Sequence, residues 1–129
     1  MKILNVEDNA YKHHDICKVL DDCGIGEGDI AWFTNLEEGL DVIHRRNEAG
    51  MPFDLIITDM WYPLVPGGHE TKAGERLIDT LIAEGIQTPV IICSSANCSG
   101  YAVLGAVHYS PFSDWETDLE RLVQRVKMK

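Results

Sequence analysis

Basic residues are scarce in this sequence: 11 Lys and Arg stand against 21 Asp and Glu, so the formal net charge is −10. Non-specific binding to nucleic acid depends on Lys and Arg against phosphates, and a membrane-surface helix needs a basic face. The charge balance therefore argues against both kinds of partner. An acidic chain can still bind divalent cations or a basic protein surface, although solubility alone is the alternative explanation of such a charge.

Long apolar runs and cysteine motifs are also missing. No run approaches the roughly 18 residues that a membrane span needs, and the segment that precedes Glu7 is too short for the apolar region of a signal peptide. The four cysteines, Cys17, Cys23, Cys93 and Cys98, form no C-x-x-C pair. Cys17 lies in a helical pattern and Cys93 ends an apolar run, and both are predicted to be small buried residues. We therefore expect a protein of the reducing cytoplasm without a membrane segment.

What the sequence does contain is a regular alternation of two kinds of segment, and its 129 residues fit a single domain, 1–129. Short apolar runs predict strands, and segments with apolar residues at helical spacing predict helices. The predicted strands are 2–6, 30–33, 53–58, 88–93 and 106–110, and the predicted helices are 9–22, 34–50, 74–85 and 114–127. Candidate N-caps of the first, second and last of these helices are Asn9, Thr34 or Asn35, and Asp114, and Ile82 is among the residues expected to face inward on the third. The glycine-broken segment SSANCSGYAVLGA, 94–106, predicts only a short or irregular fourth helix.

The strands are almost continuously apolar, which is typical of parallel strands buried on both faces. Alternation with helices then predicts an α/β fold, a doubly wound five-stranded parallel sheet with helices on both faces. In such sheets ligands bind beyond the carboxyl ends of the strands, where the strand order reverses. This edge is where functional residues are expected.

Three acids follow predicted strands directly. Glu7 and Asp8 come after ILNV, and Asp59 comes after LIIT. Carboxylates at one edge of a sheet repel one another unless a cation neutralises them, and hard oxygen ligands suit Mg²⁺. The alternative for each acid is that it caps the helix or turn that follows it.

Four segments carry a combined pattern, ILNVEDN (3–9), FDLIITDMWYP (53–63), PVIICSSA (89–96) and GAVHYSPF (105–112). Together they resemble the receiver domain of two-component response regulators, and the resemblance covers essentially the whole chain. It implies a flavodoxin-like sheet in the order 2-1-3-4-5. It also implies a phosphoprotein that receives a phosphoryl group from a histidine kinase or phosphotransfer protein and acts by binding an output protein. No enzymatic activity is implied beyond self-phosphorylation from a phosphodonor and slow autodephosphorylation.

The resemblance implies a role for each matching residue. Asp59 matches the phosphoacceptor, whose carboxylate attacks phosphorus. Glu7 and Asp8 match the acids that hold Mg²⁺ or Mn²⁺, with Asp8 the direct ligand, and Asp59 and the backbone carbonyl of Trp61 complete the metal ligands. Ser94 matches the hydroxyl residue that hydrogen-bonds the phosphoryl group.

Three departures from the family pattern concern this site and its surroundings. Ser110 occupies the position where the family has a lysine that contacts the phosphoryl group, and Lys72 is one cation that could replace it. Only 15 residues separate Ser94 from Ser110, fewer than the family has, so the fourth helix must be short or irregular. The loop MWYPLVPGGHETKAG, 60–74, is longer than the family's, and it is either a lid over Asp59 or an insertion without function.

Three functions remain open at this point. The first is a receiver phosphorylated on Asp59. The second is a non-phosphorylated pseudo-receiver that acts as a protein-interaction module, which the missing lysine favours. The third is a hydrolase of the haloacid-dehalogenase type, which also uses an Asp nucleophile but needs a second Asp two residues later, where this chain has Trp61.

Overall fold

The computed structural model describes residues 1–128, so Lys129, the last residue of the predicted domain, lies outside the described residues. The chain forms seven strands in this range: β1 (Ile3–Val6), β2 (Ile30–Phe33), β3 (Leu55–Thr58), β4 (Tyr62–Pro63), β5 (Glu70–Thr71), β6 (Val90–Ser94) and β7 (Gly105–His108). Four α-helices accompany them: α1 (Ala10–Asp22), α2 (Leu36–Glu48), α3 (Ala73–Ala83) and α4 (Trp115–Lys127). No helix in the described range is long and apolar enough to cross a membrane.

Five of the strands form one parallel sheet in the order β2-β1-β3-β6-β7. Because β4 and β5 pair only with each other, this is the predicted order 2-1-3-4-5 of the main strands, and the prediction is confirmed. The strand order reverses around β1 and β3, which lie side by side and are buried along their whole length. Residues that follow these two strands therefore share one edge of the sheet.

The apolar strands separate two layers of helices, as predicted. Ile3 and Ile57 face the layer that α1 and α4 form, and Leu4 and Ile56 face the layer of α2 and α3. Side chains of successive strand residues point to opposite faces, so a continuous apolar run can serve both layers at once. This explains why the strands lack alternating polar residues.

Helix starts show where side chains fix the chain near the sheet edge. The side chain of Asn9 accepts hydrogen bonds from backbone N–H groups of α1, including that of Lys12, and Asn35 accepts one from Glu38 N at the start of α2. Both Asn caps agree with the sequence. Asp114 was a predicted cap of α4 and does stand at the N-cap position, but its side chain makes no capping hydrogen bond.

The segment between β6 and β7, residues 95–104, contains no helix. The predicted short or irregular fourth helix is thus an irregular segment, and the fold has four α-helices within the described range. Ile82 on α3, which the helical spacing predicted to face inward, is 58 % exposed. It lines an open groove of about 230 Å³ between α3 and residues 102–104, because no helix packs over it.

Candidate functional site

The pairing of β1 with β3 brings the predicted acids together. Val6 pairs with Thr58, so the next residues along both strands, Glu7 and Asp59, leave the sheet side by side. The Asp59 N–H donates a hydrogen bond to Val6 O at 3.0 Å, which fixes this approach. Glu7, Asp8 and Asp59 can each offer one carboxylate oxygen, and these oxygens lie within 4.8 Å of one another.

Both oxygens of Glu7 are engaged by the protein. Oε1 accepts a hydrogen bond from Asn9 N at 3.0 Å, and Oε2 forms an ion pair with Lys12 Nζ at 2.8 Å. Burial raises the pKa of Glu7 to about 7, because the loss of solvent outweighs the attraction of the Lys12 ammonium and the neighbouring Asp59 charge adds to the rise. Glu7 is therefore a buried acid whose position is fixed by Asn9 and Lys12.

Asp59 has one held oxygen and one free oxygen. Oδ1 accepts a hydrogen bond from Met60 N at 2.7 Å and lies 3.3 Å from Lys12 Nζ. Within residues 1–128, Oδ2 takes part in no hydrogen bond or ion pair, and the side chain is 14 % exposed. The carboxylate is thus oriented by one oxygen, while the other remains available to a ligand or a reactant.

A fourth acid reaches the cluster from the small β4–β5 hairpin. A hydrogen bond shared with the carboxyl of Asp8 raises the pKa of the exposed Glu70, and the nearby charges of Asp8 and Asp59 act in the same direction. The sequence did not predict this, because the position of Glu70 depends on how the loop after Asp59 folds. The hairpin therefore adds negative charge beside Asp8.

A buried lysine, Lys12, offsets part of the negative charge of the cluster. Lys12 Nζ contacts Glu7 and Asp59, donates a hydrogen bond to Cys93 O at 2.6 Å, and belongs to a side chain that is only 6 % exposed. Burial alone would lower the pKa of Lys12, but the two carboxylates outweigh burial and raise it, so the amine stays charged. Sequence reasoning missed this residue. The available signal was its position four residues before Ile16, on the buried stripe of α1.

Ser94 and Trp61 lie at the same edge without touching Asp59 by hydrogen bonds within the described chain. Ser94 ends β6, which neighbours β3, and its buried hydroxyl accepts a hydrogen bond from Ala96 N at 3.2 Å. Trp61 follows Met60 and has a side chain that is 44 % exposed. Their roles toward phosphate and metal remain predictions.

Ser110 and Lys72 form no hydrogen bond or ion pair with Glu7, Asp8 or Asp59 within residues 1–128. Ser110 closes a local turn after β7, in which its hydroxyl accepts a hydrogen bond from Phe112 N at 3.1 Å. Lys72 is exposed, and its Nζ lies 3.9 Å from a Glu75 oxygen. The proposed replacement of the missing lysine by Lys72 therefore finds no support in this geometry.

The loop after Asp59 is partly a core element rather than a mobile insertion. Tyr62, one of its aromatic residues, is fully buried, and its hydroxyl lies 3.0 Å from Thr58 Oγ1. Thr58 in turn donates to Asp59 O at 2.8 Å. Gly74, at the start of α3, packs so closely that an added Cβ would lie 2.2 Å from Asp59 O. Both contacts hold the backbone of Asp59 in place.

The donor set fits a small, hard divalent cation. Asp8 and Asp59 can each offer a carboxylate oxygen, and Mg²⁺ is bound in proteins by one or two carboxylates together with water and phosphate oxygens. Glu7 is held by Asn9 and Lys12, so its contribution to such a site is negative charge and a fixed position. The chemistry of these residues thus agrees with the predicted metal.

Comparison with known structures places the fold. The chain is similar to a two-component response regulator from Cytophaga hutchinsonii (17 % identity, TM-score 0.73, covering 99 % of this chain and 97 % of that one). It is similar to a response regulator receiver protein from Pseudoalteromonas atlantica, with 18 % identity and a TM-score of 0.71, covering 99 % of this chain and 98 % of that one. It is also similar to the receiver domain of a Francisella response regulator, with 24 % identity and a TM-score of 0.68, covering 98 % of this chain and 93 % of that one.

No family model and no curated protein matches the sequence. The structural likeness nevertheless extends over nearly the whole chain in each of these comparisons. The chain therefore has the fold of response regulator receiver domains, and the resemblance predicted from the sequence is confirmed at the level of the fold.

Proposed function

We propose that this chain is a phosphoacceptor receiver of two-component signal transduction. Asp59 accepts a phosphoryl group from a histidine kinase or a phosphotransfer protein, and the phosphorylated form signals by binding an output protein in the cytoplasm. The observation that supports this most directly is the carboxylate of Asp59, held by Oδ1 and free at Oδ2, in contact range of two further acids. The receiver fold agrees with the proposal.

The residues around Asp59 divide the work of phosphoryl transfer, which depends on positioning and charge neutralisation. Oδ2 is the attacking oxygen, and the Met60 N–H keeps the carboxylate in the orientation that exposes it. Asp8, Asp59 and the Trp61 carbonyl would hold Mg²⁺ or Mn²⁺, with Glu7 beside them. The bound metal would supply positive charge against the phosphate oxygens.

Ser94 would report the change to the neighbouring segment. Its hydroxyl now accepts a hydrogen bond from Ala96 N, in the irregular segment between β6 and β7. A phosphoryl group on Asp59 offers three strong acceptor oxygens, and a hydroxyl that turns to donate to them changes its contact with residue 96. This couples the site to a surface from which an output protein could read its state.

The experiment is phosphorylation by a small phosphodonor, followed by measurement of the intact mass. Wild-type protein with acetyl phosphate and Mg²⁺ should gain one phosphoryl group, and removal of the metal with a chelator should prevent the gain. Asp59→Asn should gain none. Asp54→Asn is the matched control, because this exposed acid precedes β3 at the opposite end of the same strand, and the variant should be labelled like wild type. An unlabelled wild type, or equal labelling of Asp59→Asn, would contradict the proposal.

A second candidate function, the non-phosphorylated pseudo-receiver, is favoured by one observation. Lys12 forms ion pairs with both Glu7 and Asp59, so the cluster can be a purely structural ion network. In that case wild type remains unlabelled with every phosphodonor, and Mg²⁺ does not change its thermal stability.

A further inference from the structure

The end of β7 contributes no positive charge to the acidic cluster. Ser110 uses its hydroxyl for the turn with Phe112 N, and its carbonyl accepts a hydrogen bond from Ser113 N at 3.2 Å. His108 is exposed and donates through Nε2 to Ser95 O at 3.0 Å. Neither residue contacts Asp59, so any cation beside the reacting carboxylate must come from another element.

That cation comes from the first turn of α1. Lys12 Nζ lies 2.8 Å from Glu7 Oε2, 3.3 Å from Asp59 Oδ1 and 2.6 Å from Cys93 O, which are atoms at the ends of three neighbouring strands. An ammonium group has three N–H donors. One is bound by the Cys93 carbonyl, which fixes the amine, and the positive charge lies within ion-pair distance of both acids.

Packing holds the lysine in this position. The ring of Tyr109 lies against the amine, with Nζ 5.3 Å from the ring centroid, and the Tyr109 hydroxyl donates to Asp15 Oδ2 at 2.8 Å. Asp15 is on the same helix as Lys12, so Tyr109 is fastened to α1. A charge held in this way needs no reorganisation when negative charge develops beside it, which is the condition for strong electrostatic stabilisation.

We propose that Lys12 is the cationic residue of the phosphoryl-transfer site and that its ammonium stabilises the phosphoryl group as this group joins Asp59. The inference rests on the proposed function and names a residue of that same site. In the reaction, Asp59 Oδ2 forms a bond to phosphorus, and the bond between phosphorus and the donor breaks. With an acyl phosphate, the electron pair leaves on the donor's carboxylate, so no proton or oxidant is required.

A purely structural role predicts something different. Lys12 would then serve only as the counter-ion of buried Glu7, and its removal would lower stability without a specific effect on phosphorylation. Conversely, a group that touches the reacting carboxylate should affect the rate of labelling even in protein that is fully folded. The test must therefore separate rate from folding.

The experiment compares initial rates of phosphorylation by acetyl phosphate with Mg²⁺, measured by intact mass on protein whose folding is checked by circular dichroism. Lys12→Met should label on the order of 10²-fold more slowly than wild type, the typical effect of removing one preorganised donor. Lys12→Arg keeps the charge and should recover most of this loss. Lys72→Met removes an exposed lysine of the loop after Asp59 and should stay within about twofold of wild type, as surface charges are screened by solvent.

A second pair of variants covers the case in which Lys12→Met does not fold. Glu7→Gln removes the buried acid that requires a counter-ion. The double variant Glu7→Gln with Lys12→Met therefore contains neither charge of this buried pair, and no carboxylate at position 7 is left unpaired. The double variant should label on the order of 10²-fold more slowly than Glu7→Gln alone. The inference is overturned if folded Lys12→Met labels as fast as wild type, or if the double variant labels as fast as Glu7→Gln. In that outcome wild type is still labelled on Asp59, whereas failure of the proposed function is an unlabelled wild type.

Discussion

At the scale of the residue, Lys12 and Glu7 depend on each other. A buried charge without a partner is strongly destabilising. Without Lys12, Glu7 would be such a charge, whereas Lys12 without Glu7 would keep only Asp59 as an ion-pair partner. Removal of one partner from a buried pair costs about 3–5 kcal/mol, more than the pair itself contributes. Substitutions in this cluster therefore have to be read together with their effect on folding.

Tyr62 provides a test of how the backbone of Asp59 is supported. Tyr62→Phe removes the hydroxyl that lies 3.0 Å from Thr58 Oγ1 in the buried core. We expect a loss of about 1 kcal/mol in the free energy of unfolding, measured by urea denaturation, because a buried hydrogen bond is lost without a change of shape. Burial also raises the pKa of Tyr62, so this hydroxyl is protonated and able to donate.

Tyr11→Phe is the matched control for this prediction. Tyr11 is 86 % exposed at the start of α1, so the same chemical change should leave stability within about 0.5 kcal/mol of wild type. Equal effects of the two substitutions would mean that the Tyr62 hydroxyl does not support the core.

The residues of the site differ in how far the sequence predicts them. Glu7, Asp8 and Asp59 follow apolar strands directly, and the geometry of parallel sheets then places them on one edge. Lys12 is different, because its role depends on which helix face lies over that edge and on the reach of a flexible side chain. Glu70 depends on a hairpin that forms from a loop rich in glycine and proline, whose path no periodic pattern specifies.

At the scale of the element, helix starts were predicted from residue type, and two of the three proposed caps form. Asn35 is buried and binds Glu38 N, whereas Asp114 occupies the same kind of position without a side-chain hydrogen bond. The residue type is favourable in both cases. The difference lies in the backbone: Asn35 is extended, with ψ of 163°, whereas Asp114 has ψ of 61°.

This pair gives a prediction with its own control. Asn35→Ala should lower the free energy of unfolding by about 1–2 kcal/mol, since the backbone N–H of Glu38 loses its partner at a buried helix end. Asp114→Ala should change it by less than about 0.5 kcal/mol, because no hydrogen bond is removed. Chemical denaturation of both variants measures the difference, and a larger loss in Asp114→Ala would contradict the assignment.

The alternation of strands and helices was predictable because buried strands and helix faces need apolar residues at a characteristic spacing. The segment between β6 and β7 was not predictable in detail. Its Gly100 adopts a φ of +86°, a left-handed conformation that helices exclude, and local turns replace a helix there. Ile82 follows the helical stripe of α3 correctly, but its exposure depends on a neighbouring helix that this chain does not form.

At the scale of the whole molecule, the net charge of −10 makes self-repulsion part of the energetics. Binding of a divalent cation by the folded state alone should stabilise the protein by about 2.7 kcal/mol when the free metal is 100 times its dissociation constant. We therefore expect Mg²⁺ to raise the melting temperature by several degrees, as measured by calorimetry at constant ionic strength.

Variants of two acids locate the effect. Asp8→Asn should abolish the response to Mg²⁺, and the metal-free variant should melt no lower than wild type, because repulsion with Glu70 and Asp59 is relieved. Asp79→Asn removes an exposed acid on α3 and should keep the full response. A response that survives in Asp8→Asn would place the cation elsewhere on the acidic surface.

The absence of a side chain at Gly74 has a mechanical consequence. With no Cβ between them, the first turn of α3 rests directly on the carbonyl of Asp59 and the Cα of Met60, and Gly74 N donates to Met60 O at 3.1 Å. Protein interiors transmit strain because they are closely packed. We therefore expect a displacement of the Asp59 backbone to shift α3 as a rigid body. The far end of this helix lies about 15 Å from its first turn, given a rise of about 1.5 Å per residue, so the shift would reach a surface at that distance from the site.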